Sequence, residues 1–177
     1  MAEYPGAERH RQPRTLPAVA LTAALALLVT AGCEPKDRRP GTWLAGEVVE
    51  TPVTDWSFVN EHPEVYVETR PWYLIPHSVT TVIASSGDKV FVPSIYDAPA
   101  PFPGSKYWNR IIADNPAVRV KIGERLYAME ARPASDPDEF QEGLAALARK
   151  YDFWRQVRDG GNPDLAFVII RLQPVGG

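Results

Sequence analysis

A single cysteine in 177 residues, Cys33, leaves no partner for an internal disulfide. Histidine is equally sparse. His10, His62 and His77 show no metal-ligand spacing, and there is neither a His-Glu-x-x-His helix nor a cysteine pair, so no metal site is expected. No Gly-x-Ser-x-Gly elbow and no phosphate-cradling Gly-x-x-x-x-Gly-Lys loop occurs, which removes two nucleophile and nucleotide signatures. An excess of positive charge is also missing. The chain carries 19 Lys and Arg against 22 Asp and Glu, a net −3, and therefore lacks the overall basic charge of a typical nucleic-acid binder. The longest uncharged, largely apolar run, Leu16 to Ala31, falls short of the roughly 20 residues that a membrane-spanning helix needs.

That run has the length of a signal-peptide core. Arg9, Arg11 and Arg14 precede it, and it ends in Val-Thr-Ala-Gly-Cys. Ala31, Gly32 and Cys33 resemble the lipobox of bacterial lipoproteins, in which small residues let a peptidase reach the bond before a cysteine that carries lipid. Thr30 stands where that motif usually has Leu. The resemblance implies residues 1–32 as a signal peptide and residues 33–41 as a lipidated cysteine and tether. Residues 42–177 then form one domain, exported and anchored at the cell envelope on the periplasmic side. An uncleaved N-terminal anchor is the alternative. The tether, Glu-Pro-Lys-Asp-Arg-Arg-Pro-Gly, is charged and bounded by proline, as a solvated linker should be.

Prolines number 18, which points to loops and sheet edges and away from a helical bundle. Val65–Thr69 alternates and reads as a strand. The next stretch, Arg70-Pro-Trp-Tyr-Leu-Ile-Pro-His77, holds two prolines and bunched large apolar residues. Trp72, Tyr73 and Leu74 are therefore either a core plug, the default, or the wall of a pocket. Val79–Ala84 and Lys89–Ser94 form a hairpin across Ser85-Ser86-Gly87-Asp88.

The most informative segment runs from Ser94 to Ala131. A proline-rich loop leads to a helix that Ser105 can cap and Asn115-Pro116 stops, with Trp108, Ile111 and Ile112 on one face. Val118, Val120 and Ile122 then alternate with Arg119 and Lys121, giving a strand with one apolar and one cationic face, and Gly123 turns the chain into Leu126–Arg132. Asp136 caps a second helix with Pro137 at its first position, and an apolar stripe through Phe140, Leu144, Leu147 and Tyr151 runs to about Val157. Leu165–Leu172 is a continuous apolar run, as in a strand buried on both faces. The expected fold is mainly β, a small closed or split β-barrel with two flanking helices.

Gly87-Asp-Lys-Val-Phe-Val92, Ser94, Lys106-Tyr-Trp-Asn109, Asn115-Pro116, Val118-Arg-Val120, Gly123 and Tyr127 resemble the flavin- and deazaflavin-binding split-barrel family, most closely its deazaflavin-dependent nitroreductase and quinone reductase branch. The resemblance implies FMN or a deazaflavin as cofactor and Arg70, His77, Ser94, Lys106, Trp108, Arg119 and Tyr127 as cofactor-binding residues. It names no catalytic residue. A small-molecule acceptor such as a quinone and a homodimer would follow. Where family members place a Gly-Arg-Lys-Ser-Gly-like phosphate loop, this chain has Arg70–His77 without glycines. A second expectation is therefore a non-catalytic envelope lipoprotein whose barrel binds a small ligand or a protein partner. From the residues alone, Arg119 and Lys121 read as a solvated strand face, and Trp108 and Tyr127 read as core.

Overall fold

The computed structural model describes residues 41, 43–96 and 101–175. The expected signal peptide, Cys33 and all of the expected tether except Gly41 lie outside the described residues, as do 97–100 of the proline-rich loop. Among the described residues no helix is long and apolar enough to cross a membrane.

Eight strands form one sheet: β1 (Glu47–Val48), β2 (Val65–Thr69), β3 (His77–Thr81), β4 (Ala84–Ser86), β5 (Lys89–Ile95), β6 (Ala117–Ile122), β7 (Arg125–Pro133) and β8 (Phe167–Pro174). The order is β3-β2-β6-β7-β8-β5-β4, antiparallel throughout, and β1 adds to β7 in parallel. The two ends of this order belong to one stretch of chain. β3 and β4 are separated only by Val82 and Ile83, so a single bent segment pairs with β2 through its first half and with β5 through its second. The sheet therefore curls round on itself, and the expected split β-barrel is what forms.

Alternation decides what fills it. Val65 and Val67 from β2, Val90 and Val92 from β5, and Val118, Val120 and Ile122 from β6 meet Tyr127, Met129 and Ala131 from β7 and Val168, Ile170 and Leu172 from β8 in one buried cluster. Trp56, from the turn before a short 3-10 helix at Ser57–Glu61, and Trp108 plug it. The opposite side chains of β5 and β8, Phe91 and Ile169, lie under a second cluster formed with the helices. Strand β8 is thus buried on both faces, as its unbroken apolar run predicts.

Three helices flank the sheet: α1 (Tyr107–Asp114), α2 (Pro137–Lys150) and α3 (Asp152–Arg158). Asp136 caps α2, its carboxylate accepting from the Asp138 and Glu139 amides at 3.0 Å each. The predicted Ser105 cap of α1 is corrected. Lys106 occupies that position in an extended conformation, with no side-chain cap bond. The single helix expected to run to Val157 is two helices, because Tyr151 turns extended (φ −126°, ψ 127°) and lays its hydroxyl against the Pro63 and Ile83 carbonyls at 2.9 Å each. In the hairpin, Ser85 and Ser86 belong to β4, and the turn is Gly87-Asp88 with Gly87 at φ +60°.

The core plug expected at 72–74 is also overturned. Pro71 and Pro76 are buried, but the residues between them are exposed, Trp72 to 90%. The two prolines and the left-handed turn at Leu74 (φ +65°) keep this segment out of the sheet, so its side chains cannot reach the barrel interior.

Candidate functional site

Strand β3 is laddered to β2 on one side. On its other side β5 runs past without any ladder among the described residues, because β4 occupies β5 only over Lys89–Phe91. A side-chain bond crosses this seam, from Thr81 Oγ1 to the Pro93 carbonyl at 3.1 Å. That carbonyl faces the seam, and the nitrogen of the same residue faces the same way. A proline in a central strand would break a ladder, whereas Pro93 places its missing N–H where no ladder exists. At the far end of β3, Gly41 and Ser78 exchange both backbone bonds, Gly41 N to Ser78 O at 3.3 Å and Ser78 N to Gly41 O at 3.0 Å.

The open seam is a slot of about 470 Å³. Its inner end is set by Trp108 and Ser94, both buried. Val79, Val82 and Ile95 form its strand walls, and Tyr151, Phe153 and Trp154 at the start of α3 form its outer wall. Lys106, exposed at the start of α1, is the only cationic residue among those lining it. Thr80 also lines the slot and keeps a buried hydroxyl with no hydrogen-bond partner among the described residues. Such an orphan is costly unless something meets it.

The residues expected to hold a cofactor are only partly brought together. Ser94, Lys106 and Trp108 converge on the slot. The Ser94 hydroxyl donates to Asn109 Oδ1 at 2.8 Å, and Asn109 in turn donates to the Pro103 carbonyl at 3.1 Å, so Ser94 offers a ligand only its lone pairs. His77 packs its ring edge-on against Tyr107 at 5.5 Å; burial holds its pKa below the usual histidine value, and its Nδ1 is buried without a partner among the described residues. Arg70 lies in a different groove, of about 460 Å³, with Trp72, Tyr107 and Arg110.

Arg119 and Tyr127 are elsewhere. Arg119 is held by Glu68, and Tyr127 packs in the core against Trp56 at 5.3 Å between ring centres. The cationic face read on β6 is therefore not a solvated one: Arg119 is half-buried, and Lys121 is buried with its ammonium 3.6 Å from Glu124. Thr80, Phe153 and Trp154 were not singled out from the sequence. Phe153 and Trp154 follow an extended Tyr151 whose conformation depends on tertiary contacts, and a lone threonine in a strand carries no local signal.

The slot is largely apolar, and Lys106 is the lining residue that could meet an anionic group. The metal case is different, since no cluster of three or more His, Cys, Asp or Glu that could hold an ion occurs among the described residues.

No protein-family model and no curated protein matches the chain. Solved structures do. A conserved hypothetical protein from Mycobacterium tuberculosis matches at TM-score 0.51 and 12% identity, covering 72% of this chain and 86% of that one. HutZ, the heme storage protein from Vibrio cholerae, matches at TM-score 0.50 and 16% identity, covering 68% and 87%. A FAD-binding protein from Mesorhizobium loti gives a TM-score of 0.43 at 12% identity, covering 66% and 82%. At such identities the likeness is one of fold, and the fold is the split β-barrel.

Proposed function

We propose that the seam slot binds a flat, conjugated and anionic cofactor, FMN or a deazaflavin, and that the protein is an oxidoreductase of the nitroreductase or quinone reductase type. The slot itself carries this reading: a largely apolar opening of about 470 Å³ at the split of the barrel, with a cation among its lining residues. When bound, such a cofactor supplies the hydride transfer. The chain's own part is to hold and shield it. Val79, Ile95, Phe153 and Trp154 would cover the ring faces and exclude water, and Lys106 would pair with the phosphate. A quinone or nitro compound would take the hydride.

On the lipobox resemblance, lipid on Cys33 would hold this domain at the envelope membrane, close to membrane quinones. Fatty-acid labelling of the expressed chain should mark it, and Cys33→Ala should abolish the label; label retained on the variant refutes the anchor.

The cofactor reading is tested by the visible absorbance of the chain purified from its native host, then titrated with FMN and with a deazaflavin. A bound chromophore, or saturable binding at micromolar concentration, supports it. A spectrum that stays blank with both refutes it. The second reading, a non-catalytic barrel that binds a small ligand, is favoured by one observation: with Arg119 held by Glu68, Lys106 is the only cation lining the slot. Light scattering on the same sample reads whether two copies pair.

A further inference from the structure

The segment between Pro71 and Pro76 is built the wrong way round for a soluble surface loop. Its two prolines are buried and its middle is apolar and exposed: Trp72 to 90%, Leu74 to 71%, Ile75 to 53% and Tyr73 to 39%. Large apolar side chains presented together mark a contact surface.

The loop is also fastened. The Leu74 amide donates to the Pro71 carbonyl at 2.9 Å, closing a tight turn that places Leu74 at φ +65°. A branched side chain is disfavoured there, so the surrounding contacts enforce the conformation. Tyr73 and Tyr107 share a hydroxyl–hydroxyl bond of 2.8 Å that ties the loop to α1, and Asn115 Nδ2 reaches the Arg70 carbonyl at 3.4 Å. Trp72 stands edge-on to Tyr73 at 5.5 Å. A fixed conformation spares the entropy of ordering the loop on contact.

Charge around the loop runs opposite to that of the chain. Net charge overall is −3, yet Arg70 and Arg110, both exposed, line the groove beside Trp72 and Leu74, with Asp114 the one acidic residue among those lining it. Arg110 lies over the Tyr107 ring at 5.6 Å. Trp and Tyr at an apolar tip, with two arginines behind them, form the combination that settles at a bilayer interface: rings at headgroup depth, aliphatic side chains just below, cations against anionic headgroups.

We propose that the Pro71–Pro76 loop is a membrane-contact element that seats Trp72, Leu74 and Ile75 in the interface of an anionic bilayer. It needs neither the bound cofactor nor the lipid on Cys33.

The test is quenching of tryptophan emission in the full chain, added to vesicles of phosphatidylethanolamine and phosphatidylglycerol whose acyl chains are brominated. Of the four other tryptophans, Trp56, Trp108 and Trp154 are buried and supply the background, and Trp43, 37% exposed, is replaced by Phe in both the parent and the variant. The expected result is a loss of emission in the parent chain that Trp72→Ala largely removes, and a smaller loss on phosphatidylcholine. At 90% exposure, Trp72 can be replaced without opening the core, and an unchanged circular dichroism spectrum checks this. Equal quenching of parent and variant overturns the contact. Equal quenching on both lipids overturns the anionic assignment. Shielding of Trp72 without vesicles, with a doubled mass in light scattering, overturns the proposal in favour of a second copy. A chain that stays in the aqueous fraction overturns both this contact and the N-terminal anchor, whereas a floating chain with unquenched Trp72 overturns the contact alone.

Discussion

Arg119 on β6 grips Glu68 on β2 with two prongs, Nε to Oε1 at 2.9 Å and Nη2 to Oε2 at 2.6 Å, and the pair together hold the backbone of Leu44. Glu68 Oε2 accepts the Leu44 amide at 2.8 Å, and Arg119 Nη2 reaches the Leu44 carbonyl at 3.4 Å. The Glu68 side chain is nearly fully buried, at 2% exposure, while the Arg119 side chain keeps 35%. This pair fastens the start of the domain to the outside of the barrel. Glu68→Ala strands the guanidinium and the Leu44 amide and should cost about 2–4 kcal/mol, read as a lower urea midpoint. Arg119→Ala should likewise destabilise without changing the affinity for FMN, because Arg119 does not line the slot.

Lys106 should discriminate between FMN and riboflavin, which differ by the phosphate. If Lys106 pairs with that group, Lys106→Ala should weaken FMN binding by about tenfold, the worth of one hydrogen bond to a charged group. Riboflavin binding should not change. Equal losses for the two ligands in a fluorescence titration would refute the assignment.

Lys150 predicts an alkaline signature. Its ammonium donates to the carbonyls of Val59 at 2.9 Å, Ile83 at 2.8 Å and His62, joining α2 to the 3-10 helix and to the segment before β4. Burial pulls its pKa from 10.5 down to about 8. Between those values the unfolded chain binds a proton that the folded chain has released, so the Lys150 contribution to stability should rise with pH in that window. Tyr151, whose phenol burial pushes above 10.0, works oppositely at the upper end. Lys150→Met should remove the rise, which urea melts from pH 7 to 10 would show, and should cost about 1–3 kcal/mol near neutrality by leaving carbonyls unmet.

Gly143 sits in the middle of α2, where alanine would ordinarily be better by about 1 kcal/mol. Here a Cβ would come within 2.6 Å of Ile169 Cγ2 and 2.8 Å of Phe91 Cδ1. Overpacking of that kind typically costs about 1–3 kcal/mol. Gly143→Ala should therefore lower the melting temperature, and a rise would show that α2 is not pressed onto the sheet at this point.

What the sequence determined is local. Valine alternation in β6, the Asp136-Pro137 start of α2, the Gly87 turn and the unbroken apolar run of β8 specify their elements through periods and caps that act over a few residues. They lead to a curled β-sheet with helices outside it. Its site was legible only in part. Ser94, Lys106 and Trp108 reach one slot because they flank the same proline-rich loop, close in sequence as in space.

Tertiary structure decided the rest, since it turned on pairings between distant residues. Glu68 and Arg119 lie 51 positions apart, and only the register of β2 on β6 makes them neighbours, pairing with a carboxylate the arginine that the family resemblance implied for a cofactor. Trp72 has the composition of core, but buried prolines on both sides and a left-handed Leu74 turn it outward. The slot itself exists because one bent segment, His77 to Ser86, cannot pair with β2 and β5 along its whole length at once. No local pattern encodes that gap; it is where the curvature of a closing sheet exceeds what hydrogen bonds can span.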